Sequence, residues 1–116
     1  MKTYIGSCHC KVVTYEVTGN FTSALKCNCS HCKRKGFLLA FVPIAQFNLL
    51  SGEDNVSLYQ FNTKHIDHIF CKTCGVQSYG YGQDKDGNKT TMINLNCLEN
   101  FDTTAIPVHE YDGASA

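Results

Sequence analysis

Phe70-Cys71-Lys72-Thr73-Cys74-Gly75 is the stretch on which the reading of this chain turns. Two cysteines separated by two residues and followed at once by glycine make a knuckle. The tight turn brings both sulfurs to one side, and Gly75 lets the backbone curl beneath them. A knuckle supplies half of a tetrahedral metal site, and the other half commonly comes as a short pair from elsewhere in the chain. Cys8-His9-Cys10 is the natural partner, because residues i and i+2 of an extended segment project from one face. An ion shared by the two clusters would staple the first strand to a distant hairpin.

The remaining cluster is Cys27-Asn28-Cys29-Ser30-His31-Cys32. Three protein ligands are the pattern of a zinc site whose fourth position is open to water or substrate. The competing reading is that His31, His9, His65 or His68 completes the site and makes it inert. His31 lies inside the cluster, but a residue between two ligands of a tight turn tends to point away from the metal. An iron-sulfur cluster needs four thiolates, and this trio offers three. Disulfides are the other alternative, since the chain has 8 cysteines. A C-x-C on extended chain, however, lies near the upper limit of Cα separation for a bridge. The expectation is therefore two zinc ions, one closed by Cys8, Cys10, Cys71 and Cys74, and one open on Cys27, Cys29 and Cys32.

Outside the cysteines, short alternating stretches dominate and no long window carries a helical apolar stripe, so the fold class is all-β. Lys11 to Val17 alternates and ends at Gly19-Asn20. Phe37 to Val42 is a continuous apolar run that stops at Pro43, after which Ile44 to Phe47 fits one helical turn. Val56 to Phe61 alternates again. Asp84-Lys85-Asp86-Gly87-Asn88 is a hairpin turn joining Val76–Tyr79 to Thr90–Leu95. No repeat or linker divides the chain, which reads as a single domain over residues 1–113 with a frayed tail at 114–116.

The 116 residues carry 10 Lys and Arg against 10 Asp and Glu. Nothing in that balance is built for a nucleic-acid backbone, and Lys33-Arg34-Lys35, the one basic run, is a small footprint for that role. Seven metal-bound thiolates would leave two zinc sites net negative. The N-terminus lacks the apolar run of a secretory signal, and no stretch reaches the length of a membrane span. The chain reads as cytoplasmic, where thiols stay reduced and clustered cysteines mean metal or catalysis.

Gly6-Ser7-Cys8-His9-Cys10, Cys27-Asn28-Cys29-Ser30-x-Cys32, Phe70-Cys71-x-x-Cys74-Gly75 and the closing His109-Glu110-Tyr111-Asp112-Gly113 resemble the glutathione-dependent formaldehyde-activating enzyme family. Cys29 to Lys35, and Tyr59 to Thr63 through Gly75-Val76-Gln77-Ser78, look more like its centromere protein V branch. The resemblance covers nearly the whole chain. It implies an all-β fold of the Mss4-like type, a β-tent of packed antiparallel sheets stapled by zinc. It also implies the same partition of metals, with Cys27, Cys29 and Cys32 at the catalytic position. The reaction it implies is that of a carbon-sulfur lyase, forming S-(hydroxymethyl)glutathione from glutathione and formaldehyde.

An open zinc would let a substrate thiol such as glutathione take the fourth position and lose its proton there. Three thiolates already make such a site negative, so nearby positive charge or N–H donors are required. Lys33, Arg34 and Lys35 could offset that charge or hold a carboxylate of a peptide-like thiol; they are otherwise a solvated basic turn. His65 and His68 are either acid-base groups near the open metal or residues of its surroundings and the surface. Cys97 reads as a small buried hydrophobe, and Tyr79 and Tyr81 as strand packing or pocket lining. Two functions follow: an enzyme processing a small thiol adduct, or a non-catalytic zinc-stabilised module that binds a protein partner.

Overall fold

Thr14-Tyr15-Glu16-Val17-Thr18-Gly19 alternates strictly, with Tyr15 and Val17 fully buried and Thr14, Glu16 and Thr18 at the surface side. It forms the middle strand of a three-stranded sheet, because one face meets the core and the other meets water. The computed structural model describes residues 1–60 and 66–115. In chain order the elements are β1 (Lys2–Ser7), β2 (Thr14–Gly19), β3 (Ala24–Cys27), α1 (Ser30–Lys35), β4 (Leu39–Pro43), β5 (Phe47–Ser51), β6 (Val56–Tyr59), β7 (Asp67–Cys71), β8 (Tyr79–Gln83), β9 (Lys89–Asn94) and β10 (Val108–Tyr111). A 3-10 turn at Ile44–Gln46 follows Pro43 as the sequence predicts. His65 and Phe61 to Thr63 lie outside the described residues.

The small sheet has the order β1-β2-β5, and the large one β10-β3-β4-β9-β8-β7-β6. All pairings are antiparallel except that of β10 with β3, which places Val108 opposite Ala24 and Tyr111 opposite Cys27. A connection this long lets the late strand enter in either direction, so one parallel pair is added at the edge of otherwise antiparallel packed sheets. The expected 84–88 hairpin joins β8 to β9, and Asp84 accepts from the N–H groups of Asp86 and Asn88. No helix among the described residues is long and apolar enough to cross a membrane.

β9 is buried on both faces. Ile93 joins the main core between the sheets with Tyr15, Val17, Val42 and Leu95. Met92 faces the other way, into a smaller cluster with Cys32, Phe37 and Leu39. Alternation along one strand thus divides the interior in two, at roughly 1.5–3 kcal/mol for each large apolar side chain buried. The main core is pinned by Tyr15, whose hydroxyl donates to the Ser78 carbonyl at 2.9 Å from the small sheet to the large one.

The helix α1 is the element least evident in the sequence. It is six residues long and carries no apolar stripe. Its ends explain it: the Cys29 side chain accepts from the Cys32 N–H, and Gly36 closes it with an N–H to the Cys32 carbonyl. Cys32 is its one buried residue, and the basic run makes up its last turn, where cations suit the helix dipole.

Candidate metal centres and the adjoining cleft

Cys8 and Cys10 lie just after β1, Cys71 ends β7, and Cys74 sits in the turn beyond it. The four sulfurs lie within 4.8 Å of one another. The Cys8 and Cys10 sulfurs are 3.6 Å apart and those of Cys10 and Cys71 3.7 Å. A tetrahedron of zinc-sulfur bonds of about 2.3 Å has edges of about 3.8 Å, so the donor set and its spacing fit that ion.

Both halves are knuckles. Gly75, at φ +78°, returns its N–H to the Cys71 carbonyl, and the Thr73 N–H points at the Cys71 sulfur at 3.4 Å. The first pair does not lie on extended chain as the sequence suggests. Lys11 takes a left-handed φ of 66°, and the Val13 N–H approaches the Cys8 sulfur at 3.4 Å. Each turn therefore aims a backbone N–H at its leading sulfur, which favours the thiolate. Backbone hydrogen bonding, first from Cys74, lowers the Cys71 thiol despite burial. Burial raises Cys74, but the N–H groups of Cys10 and Val76 and the neighbouring thiols carry it down to about 6. Cys10 receives a lowering bond from Val12, yet burial and the adjacent thiols push it up to about 11. Four sulfurs so placed cannot all ionise without a cation among them.

The second cluster holds the sulfurs of Cys27, Cys29 and Cys32 within 4.8 Å of one another, again a spacing that suits one ion. Among the described residues no histidine or carboxylate joins them. His31 points from α1 to the opposite side, its ring 3.9 Å from that of His68 by centroid. The Cys29 N–H approaches the Cys27 sulfur at 3.5 Å and the Cys32 N–H the Cys29 sulfur at 3.4 Å. Burial raises both Cys27 and Cys32, the latter strongly. Cys29 is raised by burial but brought below its ordinary value by the Cys32 N–H and the two flanking thiols.

A cleft of about 640 Å³ opens on the His31 side of α1, lined by His31, Arg34, Lys35, Tyr59, His68 and Gln77. Phe70 completes its wall, and the Lys35 ammonium sits 5.9 Å from that ring. His68, which the sequence left between catalysis and the surface, is 2% exposed. Burial, then the charges of His31 and Lys35, bring its imidazole down to about 4 against the pull of Asp67. The neutral ring meets the Gln77 amide at 3.3 Å through Nδ1. The Gln77 Oε1 is buried and has no hydrogen-bond partner among the described residues. The sequence places Gln77 in the strand Val76–Tyr79 and in the resemblance but gives it no role; in the structure β8 begins only at Tyr79, and Gln77 is buried in the irregular segment before it.

Cys97 is free and half-buried, and stays outside both clusters. Burial and its proximity to Cys8 and Cys74 push it up to about 11. Tyr79 is buried in the core against Tyr15 and Phe47, and Tyr81 packs on Tyr79 under the Lys89 ammonium.

Residues 3–112 match the model of the glutathione-dependent formaldehyde-activating enzyme family. The chain belongs to that family. A crystal structure of a Rhodobacter sphaeroides protein is similar over 90% of this chain and 99% of its own, with 31% identity and a TM-score of 0.78. The family's glutathione-dependent, formaldehyde-activating theme applies to this member at that level, and the two cysteine clusters are its candidate metal sites.

Proposed function

We propose that this protein is a zinc-dependent carbon-sulfur lyase acting on a small thiol adduct, with glutathione and formaldehyde as the pair to be tested first. Cys8, Cys10, Cys71 and Cys74 hold a structural zinc, and Cys27, Cys29 and Cys32 hold a second. The observation that carries the reading is the convergence of three thiols, with no further ligand among the described residues, at the start of a helix whose Arg34 and Lys35 line a cleft on its other side. Zinc bound there would favour the thiolate of an incoming thiol at neutral pH and polarise a carbonyl oxygen near it.

The chain's own residues do the rest. The reaction joins the thiol sulfur to the formaldehyde carbon and moves the thiol proton to the carbonyl oxygen. The N–H groups of Cys29 and Cys32 spread the negative charge of the Cys27 and Cys29 sulfurs. Arg34 and Lys35 stand at the rim of the cleft, where they can take a carboxylate of a peptide-like thiol. Such a thiol is a cytoplasmic metabolite, and we place the protein in that compartment.

The test is NMR exchange between glutathione, formaldehyde and S-(hydroxymethyl)glutathione. Thiols add to formaldehyde unaided, so the expected outcome is a rate well above the protein-free control. Cys29→Ser should return it to the control while one zinc stays bound. Wild-type protein with two zinc ions and no excess rate would instead favour a non-catalytic module.

A further inference from the structure

The His109-Glu110-Tyr111-Asp112-Gly113 motif has no part in the chemistry described so far, yet the fold brings its end onto the three-thiol cluster. β10 runs parallel to β3 and sets Tyr111 opposite Cys27. The Asn28 N–H then donates to the Tyr111 carbonyl at 3.1 Å. The Asn28 side chain makes two more bonds in the same direction: Nδ2 donates to Asp112 Oδ1 at 3.0 Å, and Oδ1 accepts from the Ala114 N–H at 3.0 Å. One amide wedged between two cysteines thus holds both sides of the 112–114 turn. The turn lies directly over the cluster: a Cβ on Gly113 would overlap the Cys27 sulfur and lie 3.3 Å from the Cys29 Cβ. Nothing larger than hydrogen fits at that position without displacing either the turn or the thiol.

We propose that Asn28, Asp112 and Gly113 are positioning residues of the three-thiol site, latching the 112–114 turn against Cys27 so that the turn forms one wall of the site. This rests on the reading that the site holds an exchangeable zinc. The latch fixes the rotamer of Cys27, whose ends would otherwise be free at the edge of the sheet, and it keeps bulk solvent from one flank of the sulfur. Asp112 is not among the groups that converge with the three sulfurs, and its Oδ1 is engaged by the Asn28 amide, so the latch directs the thiol from outside the ligand set.

The experiment uses the full chain loaded with zinc, or with cobalt(II) as a spectroscopic probe, and follows release of each ion to a chromophoric chelator. Asn28→Ala and Asp112→Ala should each release the second ion about five- to tenfold faster, the ratio that one lost hydrogen bond of ordinary strength supports. The double variant should be no worse than either single one, since each change opens the same latch. Asp112→Asn keeps an acceptor for the Asn28 amide and should restore wild-type release. Gly113→Ala should have the largest effect and should shift the cobalt bands of the three-thiol site. Retention of the first ion and an unchanged melting temperature would show that the variants are folded. If the wild type holds two ions and Asn28→Ala and Gly113→Ala release both at the wild-type rate with unaltered cobalt bands, the latch is wrong while the two-site reading stands. A wild type that never binds a second ion overturns both.

Discussion

Tyr15 does more than fill the core. Its hydroxyl satisfies the Ser78 carbonyl where the large sheet leaves regular pairing, and the ring is fully buried. Tyr15→Phe keeps the ring and leaves the Ser78 carbonyl its bond from the Asn94 N–H, so denaturant melts should show the loss of one ordinary hydrogen bond, about 0.5–1.5 kcal/mol. His68 acts through charge. Its folded value of about 4 lies below the ordinary 6.5, so between those limits the unfolded chain binds more protons. Its contribution is whole above pH 6.5 and fades as pH falls toward 4, by on the order of 3 kcal/mol in all. Stability curves of wild type and His68→Gln should converge across that interval on acidification; metal loss at low pH weighs on both proteins alike and cancels in the comparison. The thiols of both sites were legible in the sequence because spacing alone constrains them. The tilted contact of the His31 and His68 rings was not, since it joins side chains from α1 and β7 that no local pattern relates.

Among the elements, α1 shows why the sequence understates helix here. Six residues without an apolar stripe have no reason to be helical alone, and the nucleus is costly. The Cys29 sulfur and Gly36 supply the ends, and the burial of Cys32 supplies the packing. The strands were more readable, because β2 and the β8–β9 hairpin carry alternation and turn chemistry in plain form. Their limits shifted where the cysteine turns intervened: the first knuckle takes Lys11 to Val13 out of β2, and Val76 to Ser78 is irregular before β8. The helix also sets the functional expectation for its basic turn. Arg34 is held at 2.8 Å on the Ser30 carbonyl and so is oriented at the cleft. Arg34→Gln with Lys35→Gln should raise KM for an anionic thiol several-fold with little change in kcat, and leave an uncharged thiol unaffected.

Across the molecule the two cysteine groups occupy different settings. The four-thiol group joins the segment after β1, in the small sheet, to β7 of the large one. The three-thiol group sits on α1 and β3 against the smaller core. Cys71→Ser should therefore abolish the cooperative thermal transition, whereas Cys29→Ser should melt near the wild type with one zinc fewer by mass spectrometry. Equal collapse of both would mean that the ions are not divided between scaffold and chemistry. The parallel pairing of β10 with β3 has a consequence for biosynthesis. Residues 24–27 emerge from the ribosome long before 108–111, so the nascent chain carries an unpaired strand margin and an unwalled trio of thiols through most of translation. On the proposed reading a second zinc would gain its wall only once the last strand has paired, and a cell short of zinc would accumulate a folded but half-metallated product.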